Sequence, residues 1–174
     1  MTYDIELERT EQGLTPGRSD ADPGVGDVGP DIGHVDPDIG LPRLRLTGEQ
    51  WAAWHRVVDR VSREFGPVGT ERFPYSLMLE TAGPPGRVQL DYYGDSATIE
   101  VPYRHSGPAA LSVMELAYGI ARVVEDETGL TGHDHEVDQP TRTGDPARAA
   151  ARMSGITDWA QSHLTQHLPP VSAT

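Results

Sequence analysis

Between Pro74 and Gly132 the chain alternates apolar and polar residues through three short runs and then changes to a helical repeat. No other feature constrains the fold as much. In Ser76-Leu77-Met78-Leu79-Glu80 the leucines point one way and Ser76, Met78 and Glu80 the other, the period of a half-buried strand. Val88, Leu90 and Tyr92 alternate with Gln89, Asp91 and Tyr93, and Ala97, Ile99 and Val101 with Thr98 and Glu100. Gly83-Pro84-Pro85-Gly86 connects the first two runs, Gly94-Asp95 is a hairpin turn, and Pro102 ends the pairing. The spacing predicts an antiparallel meander with one wet, polar face. Tyr3, Ile5 and Leu7 share one side of an opening strand that would join it.

The inner face of such a meander needs cover, and two helical segments offer it. Thr47 and Gln50 form a capping box, with Leu46 placed to staple onto Trp51. Trp51, Trp54, Val58, Val61 and Phe65 then recur as one helical stripe, which Gly66-Pro67 stops. The second helix has Ser106 as its cap and Pro108 near its first turn. Its apolar residues, from Leu111 through Val124, occupy more than half the circumference, so it should be buried on several sides. Gly129 closes it, and Glu125, Asp126 and Glu127 sit at the end that the helix dipole disfavours for acids. A last helix is predicted from Asp145 and Pro146 to about Gln166, with Ala149, Met153, Ile156, Trp159 and Leu164 as a weaker apolar edge and Gly155 in its middle.

The expected fold class is α+β: an antiparallel β-sheet of three to four strands packed on one face by two helices, with a C-terminal helical segment. Residues 1–10 are the first strand, and 44–136 the α+β core. Residues 11–43 read as an acidic, Gly/Pro-rich disordered insertion containing the duplicated Pro30-Asp31-Ile32-Gly33 and Pro37-Asp38-Ile39-Gly40. Residues 137–174 read as a linker and helical appendage.

Charge narrows the function classes. The chain of 174 residues has no cysteine, which excludes thiol catalysis, disulfides and cysteine zinc sites. Every one of its fourteen basic residues is arginine, and the formal net charge is −13. Residues 1–40 carry ten acids against Arg9 and Arg18, a net −8, and the remainder carries −5. Such a chain repels phosphate backbones and anionic membrane surfaces, so neither nucleic acid nor membrane is expected as a partner. No apolar run approaches the roughly 18 residues of a membrane span, and the first residues lack the basic and apolar regions of a secretory signal. A cytoplasmic location is the expectation.

No nucleophile elbow or phosphate-binding loop is present, and no cofactor is implied. The densest group of metal-ligating residues is His133, His135 and Asp138, which could be completed by His105. It lacks the helical spacing of a specific motif, and a short acidic loop after a helix is ordinarily solvated. The aspartates between 20 and 38 fail the calcium-loop pattern for want of a closing glutamate. Ser106 beside His105 is explained more simply as a cap, and Asp91, Tyr93 and Glu100 on the outer sheet face as solvated strand residues.

The opening Tyr3-Asp4-Ile5, the strand end Val101-Pro102-Tyr103 and the run from Ala121 to Leu130 resemble a loose set of small actinobacterial proteins. These open with Ser-Tyr-Asp-Leu and end a long helix in Glu-Thr-Gly-Leu, followed by Tyr-Asp-Pro-Gln. Here that last motif is replaced by Gly132-His133-Asp134-His135-Glu136, which keeps only the aspartate. The resemblance covers residues 1–10 and about 44–136. Some such proteins look like immunity proteins of toxin systems, which implies a non-catalytic protein that binds a basic toxin. The acids expected to make that contact are Asp91 and Glu100 on the sheet and Glu125, Asp126 and Glu127 at the helix end. The alternatives are a metal-dependent or acid–base hydrolase built on the His133–Asp138 loop, and a purely structural domain.

Overall fold

The computed structural model describes residues 2–10, 43–81 and 83–166, the last three by backbone alone. Apart from Arg43, the acidic insertion lies outside the described residues, as do its aspartates and its duplicated tetrapeptide. The elements in order are β1 (Thr2–Glu8), α1 (Gly48–Phe65), β2 (Val68–Arg72), β3 (Leu77–Thr81), β4 (Val88–Tyr92), β5 (Ser96–Pro102), α2 (Gly107–Thr128), β6 (Thr131–Asp134), β7 (Gln139–Pro140) and α3 (Pro146–Gln166). The chain is α+β. Its strands form one antiparallel sheet in the order β2-β3-β4-β5-β1-β6-β7.

The sheet therefore has seven strands where the sequence pattern predicts three to four. The three unforeseen strands hide for two physical reasons. β2, Val-Gly-Thr-Glu-Arg, is an edge strand whose residues are exposed beyond Val68, so it shows no apolar alternation. β6 and β7 do alternate between buried and exposed, but the buried positions are Gly132, Asp134 and Gln139. Their interior is polar, and it reads in sequence as a solvated loop.

The meander itself is as predicted. Leu77 and Leu79 of β3, Val88, Leu90 and Tyr92 of β4, and Ala97, Ile99 and Val101 of β5 all turn to one side, joined by Tyr3, Ile5 and Leu7 of β1. Gly94, with φ of 98°, takes the first central position of the β4–β5 turn, where an L side chain would be strained. Helix α2 lies centrally over this face, with Val113, Met114, Ala117, Tyr118, Ile120, Ala121 and Val124 all inaccessible to solvent. It is flanked by α1 and α3.

The capping box of α1 is present in full, with the Gln50 amide on Thr47 Oγ1 at 3.2 Å and the Thr47 amide on Gln50 Oε1 at 2.9 Å. Its buried stripe is Ala53, Trp54, Val57 and Val61. Relative to the predicted stripe the helix is rolled, leaving Trp51 and Val58 partly buried and Phe65 exposed. The roll lets Trp54 stack on Tyr92, rings 5.7 Å apart at 14°. Ser106 occupies the N-cap of α2, yet its side chain makes no capping bond; the Gly107 amide donates instead to Ser154 Oγ on α3 at 3.1 Å. The first half of α3 belongs to the core, since Ala149, Ala150 and Met153 are buried in it. Farther along, Trp159 is 63% exposed, although the sequence places it on the apolar edge.

One buried polar cluster joins the chain's extremes. Asp134, fully buried on β6, accepts from Tyr3 Oη at 2.7 and 2.9 Å, from Tyr118 Oη at 2.5 Å and from the Glu136 amide at 3.1 Å. Gln139 Nε2 in turn donates to Tyr118 Oη at 2.6 Å. Burial first, and the Asp134 charge second, hold both phenols far above their ordinary pKa, so both remain donors at every working pH. Asp134→Ala strands two buried hydroxyls, each costing about 1–3 kcal/mol, and should lower the unfolding free energy by about 3 kcal/mol in urea titrations. Trp54→Ala should cost about 3–5 kcal/mol in the same measurement, as a large aromatic removed from a packed site.

Candidate functional site

Because strand side chains alternate, the sheet has a second face, and no described helix lies over it. Its centre is a register of acids. Asp4 of β1 stands directly opposite Glu100 of β5, while Gln89 of β4 pairs Glu100 from the other side. Asp91 is the next open-face residue of β4 after Gln89, and Glu6 the next of β1 after Asp4. Glu71 and Glu80 extend the pattern onto β2 and β3. Against these stands Arg87, which reaches Glu80 at 2.6 Å and Gln89 Oε1 at 2.9 Å.

Like charges directly opposite one another in a sheet are destabilising. The cost is visible at Glu100, whose carboxyl is raised above its usual range by burial first, then by Asp4 and Asp91, with Arg87 only partly offsetting them. Asp91 is 8% exposed despite facing outward, and holds hydrogen bonds from Ser76 Oγ at 3.2 Å and Gln89 Nε2 at 2.6 Å. Both bonds come from within the face itself, so its carboxylate is fixed in place.

Apolar groups stand beside the acids. Met78 pairs with Asp91 across β3 and β4. Phe73 and Tyr93 continue the open-face positions of β2 and β4 by one step and are 38% and 44% exposed. Burial first, and then the field of Asp91 and Glu100, raises the pKa of the Tyr93 phenol. A rigid acidic platform with an exposed aromatic corner is thus set on paired strands rather than on loops.

The acids at the end of α2 are placed differently. Glu125 is buried and accepts from the Gly132 amide and Thr141 Oγ1, both at 2.9 Å, with Arg142 Nε 3.5 Å from its second oxygen. Gly132 has no room for a Cβ against Thr141, which is why glycine stands there. Asp126 pairs with Arg142 at 2.7 Å and Arg60 at 3.2 Å; Glu127 pairs with Arg56 at 3.0 Å and Arg60 at 3.2 Å. These arginines hold both carboxyls below the usual carboxylate range. They also answer the adverse helix dipole, and they commit the three acids to joining α2 to α1 and to the segment after β7.

The histidines divide. His133 Nε2 lies 3.1 Å from Asp138 Oδ1 and His135 Nε2 lies 3.2 Å from Glu6 Oε2, with the two rings 4.7 Å apart. His105 sits instead against Gly86 and the start of α2, where burial first and Arg104 second lower its pKa. Among the described residues no three His, Cys, Asp or Glu side chains converge to hold a metal ion. The cleft between the start of α1 and the end of α2, about 320 Å³, contains Arg9 and Arg56, already paired with Asp95 and Glu127.

Of the residues singled out in sequence, the structure brings Asp91 and Glu100 together on one face and sends Glu125, Asp126 and Glu127 to another. Asp4, Glu6 and Phe73 join the face unforeseen. The alternation of Tyr3, Ile5 and Leu7 already implied where Asp4 and Glu6 point; Phe73 gave no signal because β2 gave none. Compared with known proteins, the chain matches no family model, no curated protein and no solved structure.

A carboxyl raised by folding favours the folded state while protonated, and that advantage disappears as pH climbs through its folded pKa. Ionised Glu100 therefore opposes folding at neutral pH. Glu100→Gln should be more stable than the parent at pH 7, with the difference vanishing well below the ordinary value of 4.5. Urea midpoints measured across that range check the sign.

Proposed function

We propose that this chain is a non-catalytic protein-interaction protein that receives a basic protein on the open face of its sheet. The observation that supports this best is the cluster of Asp4, Asp91 and Glu100, kept together at a cost to stability and left without a covering element among the described residues. Retaining a destabilising arrangement at one place is what a functional surface does, because selection for binding outweighs selection for stability there. Tyr93, Phe73 and Met78 are of the kinds enriched in interface centres, and they supply the apolar anchor that charge alone lacks.

In its specific form the proposal is an immunity-type role in the cytoplasm. The partner is a cationic toxin, a nuclease by preference, whose basic cleft receives Asp4, Glu6 and Glu100, with the buried Asp91 adding its charge from beneath. Nucleic acid and anionic lipid are repelled by the same field. No described helix is long and apolar enough to cross a membrane. The helix-end acids, being occupied by arginines, have no part in the contact.

The test is capture from the source cells with two baits, the native chain and the Asp4→Asn, Glu6→Gln, Glu100→Gln triple variant. The native bait should recover a basic protein in stoichiometric amount, with an association rate that falls steeply as salt rises. The triple variant should lose at least tenfold in association rate, and Tyr93→Ala should cost about 2 kcal/mol in affinity if it is the anchor. Recovery of nothing stoichiometric, or equal capture by both baits, rejects the reading.

A further inference from the structure

The two edges of the sheet are finished differently. β7 is two residues long and contains Pro140, which has no N–H to offer a neighbour. β2 is five residues of Val-Gly-Thr-Glu-Arg, without proline, and among the described residues it has β3 on one side and nothing on the other. Which groups meet the open side follows from the β2–β3 turn. The Phe73 N–H donates to the Ser76 carbonyl at 2.9 Å, making these a hydrogen-bonded pair. Hydrogen-bonded and non-hydrogen-bonded pairs alternate along an antiparallel ladder. With Arg72 opposite Leu77 and Thr70 opposite Leu79, the backbone groups of Val68, Thr70 and Arg72 are those turned away from β3.

We propose that β2 pairs with β2 of a second copy of this chain, antiparallel about a two-fold axis at Thr70, joining two sheets edge to edge. The strand is self-complementary in this register. Thr70 meets Thr70 of the other copy and Val68 meets Arg72, so all the outward N–H and C=O groups of the strand find partners. Glu71 falls opposite Gly69, which leaves it room. Shifting the axis by one residue places Glu71 on Glu71, a like-charge pair, and shifting it the other way leaves Arg72 unpaired.

The helix layer at this edge supports the same partner. Arg56 and Arg60 tie one flank of α1 to α2. Trp51 and Val58 lie on the other flank, where the Arg72 guanidinium of β2 stacks 5.2 Å from the Trp51 ring. Both are only partly buried within one copy. A two-fold axis at the β2 edge brings this flank against its own mate, adding apolar contact to the new ladder. A strand from an unrelated protein would satisfy the backbone but would not supply the matching helix flank.

Light scattering on the full chain should give about twice the monomer mass of 18.9 kDa at micromolar concentration. Thr70→Pro removes an outward N–H, and Thr70→Lys places a charge on the edge; each should return the mass to that of the monomer, with an unchanged circular dichroism spectrum. The lysine variant keeps the test intact if the proline variant does not fold. Because the chain has no cysteine, Thr70→Cys introduces a lone thiol. The paired Cα atoms would be about 5.5 Å apart, within disulfide reach, so oxidation should yield a covalent dimer. Glu80→Cys, on β3, should yield none. A monomeric native chain overturns the proposal, and so does a dimer that survives both Thr70 substitutions or fails to cross-link through Thr70→Cys.

Discussion

A single buried carboxylate holds the architecture together. Asp134 is the last residue of β6 and faces the buried polar interior, and the groups that satisfy it come from β1, from α2 and from the turn after β6. A charge removed from water is tolerable only where hydrogen bonds replace its hydration. Here two phenols and an amide do so. β1 lies between β5 and β6, so it is the strand that joins the meander to the C-terminal part of the sheet. Tyr3 gives that strand a fixed anchor to residues far away in sequence. Such long-range contacts must close a large loop before they stabilise anything, which argues for β1 docking late in folding.

Charge is segregated by layer. On the helix side Arg56, Arg60 and Arg142 gather the acids of the α2 terminus into short pairs, and Glu125 is sealed beneath them. The exposed members of this network individually contribute little, because water screens them. Its effect is to leave no unbalanced acid at the junction of α1 and α2. On the sheet side the balance is the reverse, since Arg87 only partly offsets the repulsion among Asp4, Asp91 and Glu100. A uniformly acidic protein would spread this repulsion. This one concentrates it on one face of the sheet.

How much of this was legible in the sequence depends on what each element buries. β3, β4, β5 and α2 bury hydrocarbon, and alternation or helical spacing announces them. The capping box at Thr47 was equally plain because its chemistry is local. β6 and β7 bury hydrogen-bonded polar groups instead. Asp134 and Gln139 look like solvated residues until Tyr3 and Tyr118 are seen beside them. The metal loop expected at His133, His135 and Asp138 lies instead on β6 and in the β6–β7 turn, where His133 faces Asp138 and His135 faces Glu6. The burial of Glu125 is hidden for a related reason: it depends on Gly132 and Thr141, which sequence spacing does not place near it. On the open face, Asp91 and Glu100 were readable from alternation, whereas their proximity to Asp4 required the pairing of β1 with β5.

The condition of Glu100 bears on how such a face would work. A fully hydrated carboxylate loses its water when a cationic side chain docks, and that loss cancels much of the attraction. Glu100 has already lost part of its hydration on folding, since it is partly buried on β5. Folding has therefore met part of the desolvation cost that binding would otherwise incur. The repulsion from Asp4 and Asp91 is relieved when a positive charge arrives between them, which adds a driving force absent from an isolated acid. Asp91, fixed by Ser76 and Gln89, needs no reordering to take part. A guanidinium or ammonium laid across this platform would relieve strain as well as form bonds, while the neighbouring Tyr93 ring would exclude water from the contact.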